Sequence, residues 1–415
     1  MPISLLQKLV KLESITPKEC GIYEIIKAEF AHFAQNPLLD TLIIEQEKQG
    51  VKNLFYLIAP KNTAKSSLRH LCFAGHIDVV PPGQGWEYEP FCAMEHDGYI
   101  YGRGTQDMKG GVSAFVRAIC RALDSIITES KSAKSRIIKS KAIKSQLDSK
   151  NIQSCLKGCM ISILLTSDEE GEGTYGTRLM LEELKNQGLL PHFCIVAEPT
   201  SIAQSGDMLK IGRRGSINGT IVIEGKQGHV AYPEKCINPI ELLGDRLGLL
   251  AGVELDSGDK YFAPSKLVVT DIRGGMEVVN ITPQSLKIMF NVRNSPRSSA
   301  DSIRAYIESV LAHLPFTLTL KTNSLPFITS SHSALVQLLT QTIAQHFHIT
   351  TQLSTSGGTS DARFFAAHNI DVVELGVPND RIHAINERVS IKDLCLLCDI
   401  FTQFLLDFTH SNLAH

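Results

Sequence analysis

Between Asn53 and Thr200 the chain alternates short apolar runs with segments of helical periodicity. NLFYLIAP, HLCFAGHIDVV, GCMISILLTS and HFCIVAEPT read as strands, and MKGGVSAFVRAICRALDSII and GTRLMLEELKNQG as helices. Such alternation predicts an α/β fold with three layers around a mostly parallel sheet. Beyond residue 210 the pattern changes. RRGSINGTIVIEGKQGHVAYP predicts an exposed-edge strand and a turn, SKLVVTDIRGG and VVNITPQSLKIMFNVRNS further strands, and INPIELLGDRLGLLAGV and SADSIRAYIESVLAHL helices. That set suits an inserted α+β two-layer sandwich with an antiparallel sheet. From about Leu325 helix, strand and helix resume. The expected organisation is a larger domain from 1–212 and 327–415, interrupted by a smaller one at 213–326. A chain of 415 residues exceeds what one hydrophobic core usually serves.

Composition narrows the function classes. A hydrophobic fraction of 43% with 20% charged residues is ordinary for a globular protein, and a formal net charge of -2 removes any global electrostatic case for nucleic acid or an anionic membrane surface. No run approaches the length of a bilayer span. MPISLLQKLVKLESITP spaces its apolar residues as a helix does and lacks the long apolar core of a secretory signal, so a cytoplasmic location is expected. The cysteines are scattered. The pairs Cys155/Cys159 and Cys395/Cys398 have no second pair or nearby His at zinc-finger spacing, and reduced thiols fit a cytosolic address. Ser130 to Lys157, rich in Lys and Ser, reads either as an extension of the preceding helix or as a surface insertion whose charge serves solvation.

Polar side chains capable of chemistry gather where the apolar runs stop. AGHIDVVPPG carries His76 and Asp78, which one intervening residue places on the same face of an extended chain. YGRGTQDMKGG carries Asp107 before a helix, TSDEEGEG carries Glu169 and Glu170, VAEPT carries Glu198, and DRIHAINE carries His383. Taken singly, each has an ordinary reading as a core His, a helix-capping Asp or a solvated Glu. Together they supply imidazoles and carboxylates at expected strand ends, the crevice where open α/β sheets bind ligands. Mixed ligands of these two kinds suit zinc and its first-row relatives.

GHIDVVPPG, YGRGTQDMKGG, TSDEEG, EPT, GRRGS, GKQGHVAYP, SGGTSDARFF and IHAINE follow one another in that order. The series resembles the aminoacylase and carboxypeptidase family of two-metal hydrolases, across nearly the whole chain. The first four motifs are shared broadly by that family, which includes acetylornithine deacetylases and several peptidases. GRRGS, GKQGHVAYP and SGGTSDARF are more similar to its desuccinylases. The resemblance implies two Zn2+ per subunit, with Co2+ able to substitute. Asp107 would bridge the ions, His76 and Glu198 would complete one site and Glu170 and His383 the other, and Glu169 would be the general base. It also implies a cis peptide after Asp107. Asp78 would accept a hydrogen bond from the His76 ring and fix its tautomer.

His229 has an ordinary reading as a surface turn histidine. The resemblance implies instead that the inserted domain forms the interface of a homodimer, and that His229 stabilises the oxyanion in the partner subunit's site. The implied substrate, N-succinyl-LL-2,6-diaminopimelate, bears three carboxylates, so cationic and amide donors are needed. Arg213 or Arg214, Asn280, Arg293 and the loop containing Ser356, Gly357, Gly358 and Thr359 are the candidates. The two glycines would let backbone N–H groups approach a carboxylate. Competing expectations are a deacetylase or dipeptidase with the same metals, and a catalytically silent binding protein.

Overall fold

Apolar runs without alternation belong to strands covered on both faces, and the strands Arg69–His76 and Cys159–Thr166 are buried along their whole length. A computed structural model of the chain describes residues 1–139, 156 and 158–411. The chain divides into two compact units, Met1–Ile211 with Thr329–Ser354 and Ser360–His415, and Gly212–Ile328 with Thr355–Thr359. The last segment of the second unit falls in 327–415, which the linear reading assigns to the larger domain. Thr355 Oγ1 donates to the Tyr261 carbonyl oxygen, a contact that sequence distance hides.

The first unit is built on an eight-stranded sheet in the order Leu39–Lys48, Val51–Pro60, Cys159–Thr166, Arg69–His76, Phe193–Val196, Asp371–Glu374, Met208–Lys210, Gln352–Ser354. The middle four strands run parallel, with Val51–Pro60 antiparallel beside them. Thr166 pairs with His76 and Val196 with Ala74, so three neighbouring strands end at one edge of the sheet. The loops that follow them therefore fall together. The helices Lys109–Lys139 and Ile391–His410 reach the same strand residue, with Phe115 at 5.6 Å and Phe401 at 5.2 Å from the Phe73 ring. The first of these helices continues past Ile127 to Lys139, so the start of the Lys/Ser-rich stretch is helical; residues 140–155 and 157 of that stretch lie outside the described residues. The described cysteines are free thiols. Among the described residues no helix is long and apolar enough to cross a membrane.

In the second unit a four-stranded antiparallel sheet has the order Lys266–Gly274, Ser285–Arg293, Ser216–Glu224, Phe316–Ser324. One face packs Ile217, Ile221, Ile223, Ile288 and Phe290 against Ile303 and Ile307 of the helix Ala300–Val310. Ser299 and Ser302 start that helix as a reciprocal capping box. Ser216–Glu224 is an interior strand and not the exposed edge expected from its sequence. Alternation reports which face of a strand is wet, whereas its neighbours on either side are set by partners distant in the chain.

Candidate metal centre

His76 is the last residue of its strand, and its position there is set by the sheet. Its Nε2 lies 3.1 Å from Asp107 Oδ1. On the other side of the ring, Nδ1 is 2.9 Å from the Asp78 carbonyl oxygen but 3.7 Å from the Asp78 carboxylate. Asp78 thus meets the His76 ring through its main-chain oxygen rather than its carboxylate. Two residues past the strand the chain has turned, so the main-chain oxygen meets the ring, and the carboxylate instead accepts from the Glu170 N–H at 3.1 Å. An Nδ1–H held by a carbonyl leaves the Nε2 lone pair free for a cation.

Asp107 stands just before the helix Lys109–Lys139, and its peptide bond to Met108 is cis. The first turn of that helix is pressed against the segment leading to Glu198. A Cβ on Gly111 would sit 2.2 Å from the Ala197 carbonyl oxygen and 2.7 Å from Ala197 Cβ. Gly111→Ala is expected to lower the unfolding midpoint. Crowding a packed backbone costs about 1–3 kcal/mol, against at most about 1 kcal/mol gained in helix propensity. A midpoint that stays level or rises in chemical denaturation would refute this close approach.

The strand Cys159–Thr166 delivers the acidic loop. Asp168 is absorbed structurally, with its carboxylate accepting from Tyr175 N at 2.9 Å and its carbonyl from Gly173 N at 3.1 Å. Glu169 Oε2 lies 3.9 Å from His76 Nε2, and Glu198 Oε1, beyond the strand Phe193–Val196, lies 4.0 Å from it. Half-exposed His383 closes the opposite side, its Nε2 2.9 Å from Glu170 Oε1 and 3.3 Å from Asp107 Oδ2. Asp107 therefore presents one carboxylate oxygen to each imidazole, the arrangement a bridging ligand requires. His76, Asp107 and Glu170 bring ligand atoms within 4.8 Å of one another, and so do His76, Glu169 and Glu198. Glu169 is as near His76 as Glu198 is, so distance alone does not tell ligand from base.

The electrostatics favour a cation. Burial, opposed by His76 and reinforced by Asp361, Asp107 and Glu170, raises the Glu169 pKa to about 8. Burial and the charges of Asp107 and Glu169 push Glu198 well above the carboxylate range. Burial would raise Asp107 too, but hydrogen bonds from His383 and His76 hold it well below its ordinary value. Those two bonds are reciprocated. Hydrogen bonds to Asp107 and Glu170 raise His383 to about 10, and Asp107 holds His76 well above its usual value although burial opposes it. Carboxylates crowded this closely repel one another and draw protons onto themselves and the imidazoles. Divalent cations would replace those protons, and the oxygen and nitrogen donors are the kinds zinc accepts.

The remaining sequence candidates lie in the second unit. Arg213 is buried, its Nη1 donating to Ser356 O at 2.9 Å, and a Cβ on Gly357 would meet that nitrogen at 2.1 Å. The missing side chain at Gly357 thus makes room for the Arg213 guanidinium, whereas at Gly358 the space is open. Gly358 and Ser356 are exposed and Thr359 is half-buried. Arg293 has its pKa lowered by burial and by Arg214, and among the described residues Arg214 Nε has no partner. His229 and Asn280 meet in a small ribbon, where His229 pairs with Ile281 and Val230 N donates to Asn280 O at 3.1 Å. His229 Nδ1 accepts from Ala231 N at 3.1 Å. Sequence reasoning missed Arg103 and Glu387. Their signal was a pair of opposite charges inside the same motifs that carry Asp107 and His383.

A model of the peptidase family M20/M25/M40 matches residues 72–133 and 146–407. The succinyl-diaminopimelate desuccinylase of Helicobacter hepaticus is 66% identical over 405 residues, 98% of this chain and 97% of that protein. Among solved structures, aminopeptidase PepT from Bacillus cereus superposes with a TM-score of 0.73 at 19% identity, covering 99% of this chain and 98% of that one. The YXEP protein of Bacillus subtilis, a dinuclear metal binding peptidase, superposes with a TM-score of 0.64 at 11% identity, covering 99% and 98%. At those identities the structural likenesses show the shared fold.

Proposed function

Because the chain belongs to peptidase family M20/M25/M40, we propose that it hydrolyses N-succinyl-LL-2,6-diaminopimelate to succinate and LL-2,6-diaminopimelate. The reaction is a step toward lysine and the diaminopimelate used in cell walls. The 66% identity to a desuccinylase over 98% of the chain carries this reading. The family-wide part of the chemistry is supported by Asp107 facing both His76 and His383.

His76, Asp107 and Glu198 would hold one ion and Asp107, Glu170 and His383 the other, with zinc in both and cobalt able to replace it. When bound, the ions supply polarisation of the scissile carbonyl and acidify the attacking water. Glu169 takes the proton from that water at a carboxylate oxygen and passes it to the departing amide nitrogen. Asp78, by gripping the Glu170 N–H, keeps Glu169 and Glu170 in register. Arg213, Arg214, Asn280, Arg293 and Ser356 to Thr359 bind the substrate carboxylates. The Arg214 and Arg293 pair is the strongest of these candidates, since burial and the neighbouring Arg214 charge lower the Arg293 pKa, and an anion between the two would relieve that repulsion. The active form is a cytoplasmic homodimer in which His229 of the partner subunit donates to the tetrahedral oxyanion.

Steady-state hydrolysis of succinyl-diaminopimelate, acetylornithine and simple dipeptides tests the proposal. The succinylated substrate is expected to give the highest kcat/KM, with activity lost to chelators and restored by zinc or cobalt. Faster turnover of acetylornithine, or activity indifferent to chelation, would overturn it.

A further inference from the structure

Asp107 and His383 lie on segments that begin as paired strands and then part. Tyr101 pairs with Arg388, and the Gly102 N–H donates to Glu387 O at 2.9 Å. Beyond this point two buried side chains take over. Arg103 and Glu387 are 2% and 0% exposed, and Arg103 Nη1 meets Glu387 Oε2 at 2.7 Å. The same guanidinium donates to Ala384 O at 3.2 Å, His383 O at 3.3 Å and Pro82 O at 3.2 Å, and lies over the Trp86 ring at 5.1 Å from its centroid. Glu387 reaches the other way. Its carboxylate accepts from Gly104 N at 3.1 Å, Gln106 N at 2.8 Å and Asp107 N at 3.2 Å.

One partner therefore grips the main chain of His383 and the other that of Asp107. His383 and Asn386 both have left-handed backbone conformations, φ 58° and 57°, which a free loop of non-glycine residues rarely adopts. Contacts to the His383 and Ala384 carbonyls are what such a loop needs to stay in place. A second clamp lies alongside, where the Gln106 carboxamide accepts from Arg381 N at 2.9 Å and donates to Asp380. His76 and Glu198 differ in kind, since each sits at or just beyond a central strand and is positioned by the sheet. A buried ion pair contributes little net stability compared with apolar packing, so its use here asks for another reason.

We propose that Arg103 and Glu387 are positioning residues that set the separation of Asp107 from His383, and thereby the affinity of the ion those two ligands share. The role rests on the two-metal reading above. Neither residue is among the ligands that would hold the ion. Their hydrogen bonds hold its ligands at a spacing that the loop alone does not maintain.

The test is calorimetric titration of the metal-free full-length protein with Co2+, followed in parallel by the visible absorption of the bound ion. His383→Ala identifies which step belongs to the shared ion. In Glu387→Gln and in Arg103→Lys that step is expected to weaken roughly 10- to 100-fold, as for other residues that orient ligands, while the other step moves much less. Arg103→Lys keeps the buried charge but not the fork that reaches three carbonyls, so it carries the test if Glu387→Gln does not fold. A folded variant that binds both ions as the parent does would overturn the proposal. So would equal weakening of both steps in proportion to a lowered melting temperature, which marks a merely structural role. A parent chain that takes up no second ion would overturn the two-metal reading, and the proposal with it.

Discussion

Glu169→Gln is expected to bind both divalent ions as tightly as the parent chain and to lose about 10²- to 10⁴-fold in turnover, the usual contribution of a general base. The amide keeps the size and planarity of the carboxylate but cannot take a proton from water. The experiment is informative because Glu169 and Glu198 stand at nearly equal distances from His76 Nε2, 3.9 Å and 4.0 Å. Elemental analysis beside kcat separates their roles. Loss of an ion together with activity would make Glu169 a ligand, and near-native turnover would remove the base assignment. Glu198→Gln is expected to show the complementary pattern, with the ion held by His76 weakened.

Mixing two inactive chains is expected to restore activity. His229→Ala should retain both ions and lose about 10²- to 10³-fold in turnover, the typical effect of removing an oxyanion donor. His229 is equipped for that task, because Nδ1 accepts the Ala231 N–H and the neutral ring must then carry its proton on Nε2. If the donor comes from the partner subunit, a heterodimer of His229→Ala and Glu169→Gln holds one site with an intact Glu169 and an intact His229. Its activity should stand well above either parent once subunit exchange has been verified with differently tagged chains. Exchange without recovery would show that His229 acts within its own chain or not at all.

His76, Glu169, Glu170 and Glu198 were legible in the sequence because each closes or follows an apolar run that ends abruptly. His76 closes the run from Arg69, Glu169 and Glu170 follow the run to Thr166, and Glu198 follows the run to Val196. Runs of that length and composition become covered parallel strands by local pattern and burial, and their ends face a crevice in any open α/β sheet. What the linear order could not contain was the strand order. Cys159–Thr166 lies on one side of Arg69–His76 and Phe193–Val196 on the other, and only that adjacency turns separated motifs into one centre.

The same limit applies to individual side chains and strands. Asp78 was expected to accept from the His76 ring, and the backbone turn after the strand decides that its main-chain oxygen does so while its carboxylate takes the Glu170 N–H. Ser216–Glu224 alternates as an edge strand would, yet Ser285–Arg293 and Phe316–Ser324 enclose it. Arg103 and Glu387 stand 284 positions apart in the chain, and only the fold buries them against each other. Hydrophobic periodicity and chain-breaking residues act over a few positions, so the sequence by itself determined the elements, their ends and the kind of chemistry those ends carry. Which way a side chain turns, and which distant partner meets it, depends on contacts between segments hundreds of residues apart, and those the tertiary structure alone decided.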